Sequence, residues 1–564
     1  MPTRMETRGW MWARTLCLFL AVILYWASCV NWDVYLYGTA FVFLPWAVLL
    51  VARALARGQT RLNVRNGLLF GMAGFYMLSA LRNGNLSPRG LAVLALGFMT
   101  VWAGCRAFGG DAGRRRVWRL CFAVLAAALT ALLLTVLTEF FGHPEWLPWG
   151  VKQVARRGAR GGEMLQYSKN RTLRGVVTLT HACGAMLVAG IIPEGADEAH
   201  LLREGRMLCL LIAGLWLTYL VPAVATVFTG RPIEADWLPS KLGIQMPGLV
   251  GDRIWALMHP NSTGRCAVIG MLCAIYCLYA PGRRWQKALL WVIVVADLMA
   301  LAHSQSRTAQ IALGLGLGAM AFRAVWLKWA DHPRRALVGA AAWGVTLVLT
   351  VLLVSGVFTV DVFAASRMSA AAEPNLLESM KQNAEEKKYV DRIEDVVVDE
   401  ATEIADGVMV PRTMSAGLFD VLSNGRGAIW SNGVDYLIHH PADMLLGMGS
   451  DDIIERMKAY NPERYPALHL HSGYLEVLAR GGVFMLLCLL GTLALLIKPT
   501  ARALVAPAGT DAGGYMFAVL VGTLLLLPLV ETLLFTDASV YNLLFFYAAG
   551  RVDRASIRYG RDGR

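Results

Sequence analysis

The chain has 564 residues, 56% of them hydrophobic and 16% charged, with a mean hydropathy of +0.48. Soluble globular domains are about one-half apolar with about 25% charged residues, so this composition excludes that class and points to a polytopic membrane protein. The formal net charge is +13, but the lysines and arginines gather in short loops between apolar runs, so much of the excess is read as topogenic and requires no nucleic acid.

Apolar runs suited to about 30 Å of hydrocarbon lie near 15–31, 34–54, 66–81, 90–107, 117–137, 175–192, 206–229, 264–280, 286–302, 308–327, 336–359, 482–497, 514–533 and 538–550. They predict an all-α polytopic membrane protein of about 12–14 transmembrane helices. The first run follows Arg4, Arg8 and Arg14 in the manner of a secretion signal. However, "YWASC" sets Tyr25 and Trp26 where cleavage wants small residues, so it is read as an uncleaved span.

With the N-terminus inside, the cytoplasmic side receives Arg53, Arg57, Arg61, Arg65, Arg106, Arg114, Arg283, Lys287, Arg323, Lys328, Lys498 and Arg502. Both termini are then cytoplasmic. The chain divides into a membrane part at 1–360, a large extracytoplasmic loop at 361–470, C-terminal spans at 471–550 and a basic tail at 551–564. Two stretches run against the charge pattern. The acidic connection "PEGADEAHLLREG" falls inside, and seven basic residues of 139–174 fall outside, where they would suit an anionic partner. The ten cysteines all lie in or beside apolar runs, so neither a disulfide framework nor a cysteine-based zinc site is expected, and no cofactor is called for.

The loop after the seventh span holds "GDRIWALMHPNSTGR", with Arg253, His259, Asn261 and Arg265, and the turn between the ninth and tenth holds "HSQSRTAQ", with His303 and Arg307. Singly, such arginines anchor to lipid phosphates; together with the histidines they form a more specific constellation. Asp297 and Glu531 are acids inside spans and so candidates for transport or proton relay. No internal repeat of the kind expected for alternating access accompanies them, and Asp297 is placed about one and a half turns from its span's outer end, within reach of His303 or Arg307.

The long loop opens with "LLESMKQNAEEKKYVDRIEDVVVDEATEIAD", read as an exposed amphipathic helix, either a solvated lid or a partner site. Next, "SNGRGAIWSNGVDYLIHHPADMLLGMGSDD" sets Arg426 and Trp430 four residues apart on one helix face, as a plain cation–π pair or as part of a site. A stop at "HHP" follows, then Gly447 and Gly449. In "HLHSGYLEVLARGG", Ser472 is the expected N-cap of the following helix. His471 then sits near the positive end of the helix dipole, which favours uncharged imidazole. Glu476 and Arg480 are spaced to pair. His469 with His471 lacks the carboxylate or cysteine company of a metal site.

Taken in order, "MHPNSTGR", "HSQSRTA", "GRGAIW…HHPADMLLGMG" and "HLHSGYLEVLARGGV" resemble the O-antigen ligase and O-antigen polymerase superfamily over about residues 250–500. The resemblance implies a helical bundle of the C-type glycosyltransferase kind. It further implies metal-independent transfer of a glycan from an undecaprenyl-diphosphate donor to a lipid or glycan acceptor, outside the bacterial inner membrane. Motif by motif, it makes His471 the base and Arg307 and Arg253 the diphosphate clamp. The match to Arg253 needs a one-residue shift and leaves Arg265 as a rival. Arg426, Trp430, His259, Asn261, Arg265, His303 and Tyr474 become the substrate-binding set. The chain departs from the family pattern in having Ser472 after the histidine, where asparagine is usual, and Met485 where many members carry a second glycine. A ligase acting on lipid A core or a similar acceptor is the favoured expectation, ahead of a polymerase or a protein O-oligosaccharyltransferase, with a transporter behind these.

Overall fold

A computed structural model describes residues 4–27, 64–83, 152–157, 163–168, 186–192, 196–229, 248–250, 253–255, 260–279, 282–359, 426–449, 453–460, 470–506, 512–527 and 540–562. The expected spans at 34–54, 90–107 and 117–137, the acidic first part of the loop, and Glu531 lie outside the described residues.

The architecture is that of a helical membrane protein. Its helices are α1 (Arg4–Ala27), α2 (Val64–Arg82), α3 (Glu198–Thr229), α4 (Pro260–Leu278), α5 (Arg284–Ser304), α6 (Arg307–Lys328), α7 (Arg335–Thr359), α8 (Arg426–His439), α9 (Pro441–Leu446), α10 (Ile453–Tyr460), α11 (Gly473–Val505), α12 (Ala512–Leu526) and α13 (Val540–Asp562). Among the described residues four stretches are long and apolar enough to cross a membrane: α5, α6, residues 335–354 of α7, and α11. α7 leaves Leu337, Leu352 and Leu353 more than 60% exposed. An apolar surface of that kind suits lipid, since water would penalise it.

Two small antiparallel hairpins were not foreseen. β1 (Lys152–Arg157) pairs with β2 (Glu163–Ser168), setting Arg157 opposite Glu163. β3 (Gly248–Val250) pairs with β4 (Arg253–Trp255), Val250 facing Arg253. The Gly251-Asp252 dipeptide between β3 and β4 is of the glycine-first kind that two-residue hairpin connections favour. This second hairpin packs on α3, α4 and α5.

The helix pairs α6–α7, α4–α5, α11–α2 and α3–α4 build the bundle, with α12 and α13 closing it against α11. Its core includes the fully buried Phe517, Phe545, Phe546, Tyr547, Leu18 and Leu69. A second, smaller core belongs to the polar insertion: Tyr436, Leu437, Met448, Ile453 and Met457 close around Leu470 and Ala479.

The acidic connection that ran against the charge pattern has a packing explanation. α3 begins at Glu198, eight residues before the expected span, so part of the acidic stretch is helical. Glu204 is the buried partner of Arg14 on α1 and also accepts a hydrogen bond from Thr15. Arg14 also donates through Nε to Val188 O and through Nη2 to Ala189 O, both at 3.1 Å. Glu198 pairs with Arg551, and Arg65 donates to Gly190 O at 2.7 Å and faces Asp553 at 3.3 Å. A buried charge is costly without a partner, so the acids sit among the arginines that require them. α13 accordingly continues through the basic end, to Asp562.

Candidate active site

Helix starts and turns gather at the opposite end of the bundle. The α5–α6 turn is tight. Gln305 is left-handed (φ 52) and caps α5 through its N–H to Ala302 O, and Ser306 in extended conformation then starts α6, with Arg307 as its first residue. The start of α4 lies directly against this turn. A Cβ on Gly264 would come within 2.5 Å of Ser304 Oγ and 2.7 Å of Ser306 Cβ, so only glycine permits the approach. The two motifs "HPNSTGR" and "HSQSR" are thereby in contact. Arg265 and His303 are buried, Asn261 is half-buried, and Arg307 is exposed. β4, carrying Arg253, packs on the same pair α4 and α5. His259 and His469 lie outside the described residues.

His471 reaches this end through α11. Ser472 is the N-cap, its Oγ accepting from Leu475 N at 3.5 Å, as the sequence predicted. His471, half-buried, takes a left-handed conformation (φ 48). Non-glycine residues hold that region only where the surroundings impose it, and such strain gathers at functional sites. Tyr474 donates to Leu525 O of α12 at 3.1 Å, and a Cβ on Gly316 of α6 would lie 2.7 Å from Thr523 of α12. Arg307 is nine residues from Gly316, about 13 Å along the axis. Tyr474, three residues after His471, and Gly316 of α6 thus both meet the last turn of α12.

The insertion is docked onto α11 by backbone pairing. α11 breaks at Gly482 (φ 76, ψ −178). Met448 N donates to Ala479 O at 2.7 Å and Gly449 N to Arg480 O at 3.1 Å, beside that break. Neither Gly447 nor Gly482 has room for a side chain: a Cβ would meet Arg480 O at 2.3 Å and Leu445 O at 2.1 Å respectively. The glycines of "GMG" and "ARGG" are therefore two halves of one contact. α8 lies beside it, with the space over Gly433 filled by Leu470, the residue before His471. Trp430, half-buried, is one turn from Gly433 on the same face, and Arg426 begins the helix one turn earlier.

Two acids hold this assembly. Glu476, 3% exposed, accepts Arg480 Nε at 2.8 Å, the i, i+4 pair the spacing predicted, and also accepts Leu470 N at 3.4 Å. Asp443 accepts Tyr436 O–H at 3.0 Å and faces Arg82 at 2.9 Å. Burial, followed by this bond to Asp443, pushes the Tyr436 phenol up to about 12. His440 stacks on the same ring, 4.1 Å between centroids. Neither Asp443 nor Arg82 was singled out from sequence. Asp297 differs from expectation: its carboxylate is directed at Gly270 of α4, where a Cβ would lie 2.7 Å away, instead of toward His303 or Arg307.

Residues 292–490 match the O-antigen ligase family. This region belongs to the O-antigen ligase superfamily. The matched ligase segment runs from α5 to α11 and so contains the α5–α6 turn, the docked insertion and His471, while β4 and the start of α4 lie before it. The match supports a membrane protein of the O-antigen ligase or polymerase type. No curated protein and no solved structure matches the chain.

Proposed function

We propose that the protein is an O-antigen-ligase-type transferase of the bacterial inner membrane. It takes a glycan from an undecaprenyl-diphosphate donor and places it on an acceptor hydroxyl, of lipid A core or a similar surface molecule, on the extracytoplasmic face. The observation that carries the reading is that the ligase-matched segment contains both the Arg307 turn and the left-handed His471 at a helix start, while the Arg253 hairpin packs on α4 and α5 just before that segment.

In this reading the acceptor oxygen attacks the anomeric carbon while the bond from that carbon to the diphosphate oxygen breaks. The acceptor proton passes to His471, whose neutral imidazole suits a base near pH 7. The departing undecaprenyl diphosphate gains negative charge, which Arg307 and Arg253 offset by bidentate hydrogen bonds. The basic end opposite, with Arg65, Arg323 and Arg551, then faces the cytoplasm. Arg426 and Trp430 of α8, with Asn261, Arg265, His303 and Tyr474, are assigned to binding donor and acceptor.

The deciding experiment is His471→Ala in purified, reconstituted protein. Loss of a general base costs about 10²–10⁴-fold in rate, and transfer near the wild-type rate would remove His471 from the mechanism. Arg307→Lys should also be impaired, because an ammonium cannot reproduce the guanidinium fork. The product separates ligase from polymerase: a deletion strain of a ligase accumulates full-length lipid-linked polymer, whereas that of a polymerase accumulates single repeat units.

A further inference from the structure

We propose that the end of α2, through Ser79, Arg82 and Asn83, is a positioning element for glycan transfer: it latches the α9 turn into the break of α11 and so holds the segment that presents His471. This rests on the reading of His471 as the base. α2 lies more than 200 residues before the ligase-matched segment, which begins at residue 292, and neither Ser79, Arg82 nor Asn83 stood out in the sequence.

The latch is polar and made largely to backbone. Arg82 Nη1 lies 3.0 Å from Ala442 O, 2.9 Å from Gly447 O and 2.9 Å from Asp443 Oδ1. Asn83 Nδ2 donates to the same Gly447 carbonyl at 3.1 Å, and to Ser79 O at 2.8 Å. Ser79, fully buried, donates to Arg480 O at 2.6 Å. That carbonyl also accepts Gly449 N. α2 therefore grips both partners of the docked contact, the α9 turn and the broken helix.

From there the restraint runs to the histidine through bonds already described. The backbone of Arg480 is gripped by Ser79 and Gly449, while its side chain holds Glu476 at 2.8 Å; Glu476 in turn accepts the N–H of Leu470. Leu470 precedes His471, whose φ of 48 must be imposed by its surroundings. No α2 group in this chain is placed against the reacting atoms. Its effect acts through the orientation of the Leu470–Arg480 segment, and a misplacement of about 1 Å from a distant mutation can cost about 10²-fold in rate.

The contact geometry also predicts which replacement suffices. All three Arg82 contacts are made by a single nitrogen, and an ammonium carries three donors on one nitrogen. Lysine should therefore restore here what it cannot restore in a bidentate diphosphate clamp.

The test uses full-length protein in lipid nanodiscs, with the host's undecaprenyl-diphosphate-linked glycan as donor. Arg82→Ala should lower kcat by about 10²-fold with the donor KM and melting temperature held, and should speed amide exchange across residues 470–480. Arg82→Lys should recover most of both. Unchanged kcat and unchanged exchange in Arg82→Ala would overturn the latch. So would a joint fall of kcat and melting temperature that Arg82→Lys fails to reverse, because that pattern marks a merely structural loss. If His471→Ala instead transferred glycan at the wild-type rate, the base assignment and the positioning role built on it would both fall, whatever Arg82 does.

Discussion

Gly482→Ala is the most direct challenge to the docked insertion. The added Cβ would lie 2.1 Å from Leu445 O, 2.5 Å from Leu445 C and 2.7 Å from Leu446 N, all backbone atoms that no rotamer change can move. The conformation itself (φ 76, ψ −178) is close to a glycine-only region, costing an alanine about 1–3 kcal/mol. To relieve both, α11 must straighten or the α9 turn must leave, and either breaks the bonds from Met448 and Gly449 to Ala479 and Arg480. Those bonds contribute about 1 kcal/mol each. Local destabilisation of about 3–5 kcal/mol corresponds to faster exchange of the Met448 and Gly449 amides by about 10²-fold to about 4 × 10³-fold, at about 1.4 kcal/mol per tenfold. Exchange measured by mass spectrometry on the 441–449 peptide, alongside glycan transfer, reads this directly. Gly447→Ala attacks the same contact from the other side, its Cβ meeting Arg480 O at 2.3 Å. The double variant should therefore fall short of the sum of the singles. Wild-type protection and wild-type transfer in Gly482→Ala would refute the claim that the break and the "GMG" turn depend on each other.

Arg14→Ala, which strands the buried Glu204, should destabilise the bundle by about 3–5 kcal/mol, seen as a lowered melting temperature in detergent; an unchanged value would show that Glu204 is satisfied without it. Tyr436→Phe removes one hydrogen bond to Asp443, about 1 kcal/mol, in thermal or denaturant unfolding. Because the folded phenol is pushed up to about 12, above an ordinary value of about 10, its contribution is present in full below pH 10. The gap between wild type and variant should therefore be flat across neutral pH and shrink only as pH rises from about 10 toward 12; a gap that closes near pH 7 would contradict the assignment. Transfer should survive EDTA, since the proposed clamp is built from arginines; activity lost to the chelator and restored by magnesium titration would count against that clamp.

Hydropathy, charge asymmetry and capping chemistry made much of this protein legible before folding. The spans of α5, α6 and α7 lie within two residues of where the apolar runs placed them, because lipid demands a continuous apolar helix. Ser472 starts α11 and Glu476 pairs with Arg480, because caps and i, i+4 pairs are local. The histidine and Ser-Arg motifs were visible for the same reason, as short signals in one order. What tertiary structure alone decided are matters of distance across the chain. Gly447 and Gly482 are 35 residues apart in sequence, and only the docked backbone shows that each leaves room for the other. Arg82 carries no local signature of its role, since its partners lie more than 350 residues away. The acidic 193–205 connection looked misplaced while charge was counted loop by loop. It became necessary once Arg14 and Arg551, from α1 and α13, were seen to bury their charge against it. Local periodicity determines which segments become helices, whereas the partner that satisfies a buried charge or fills a glycine's empty space is set by the packing of segments remote in the chain.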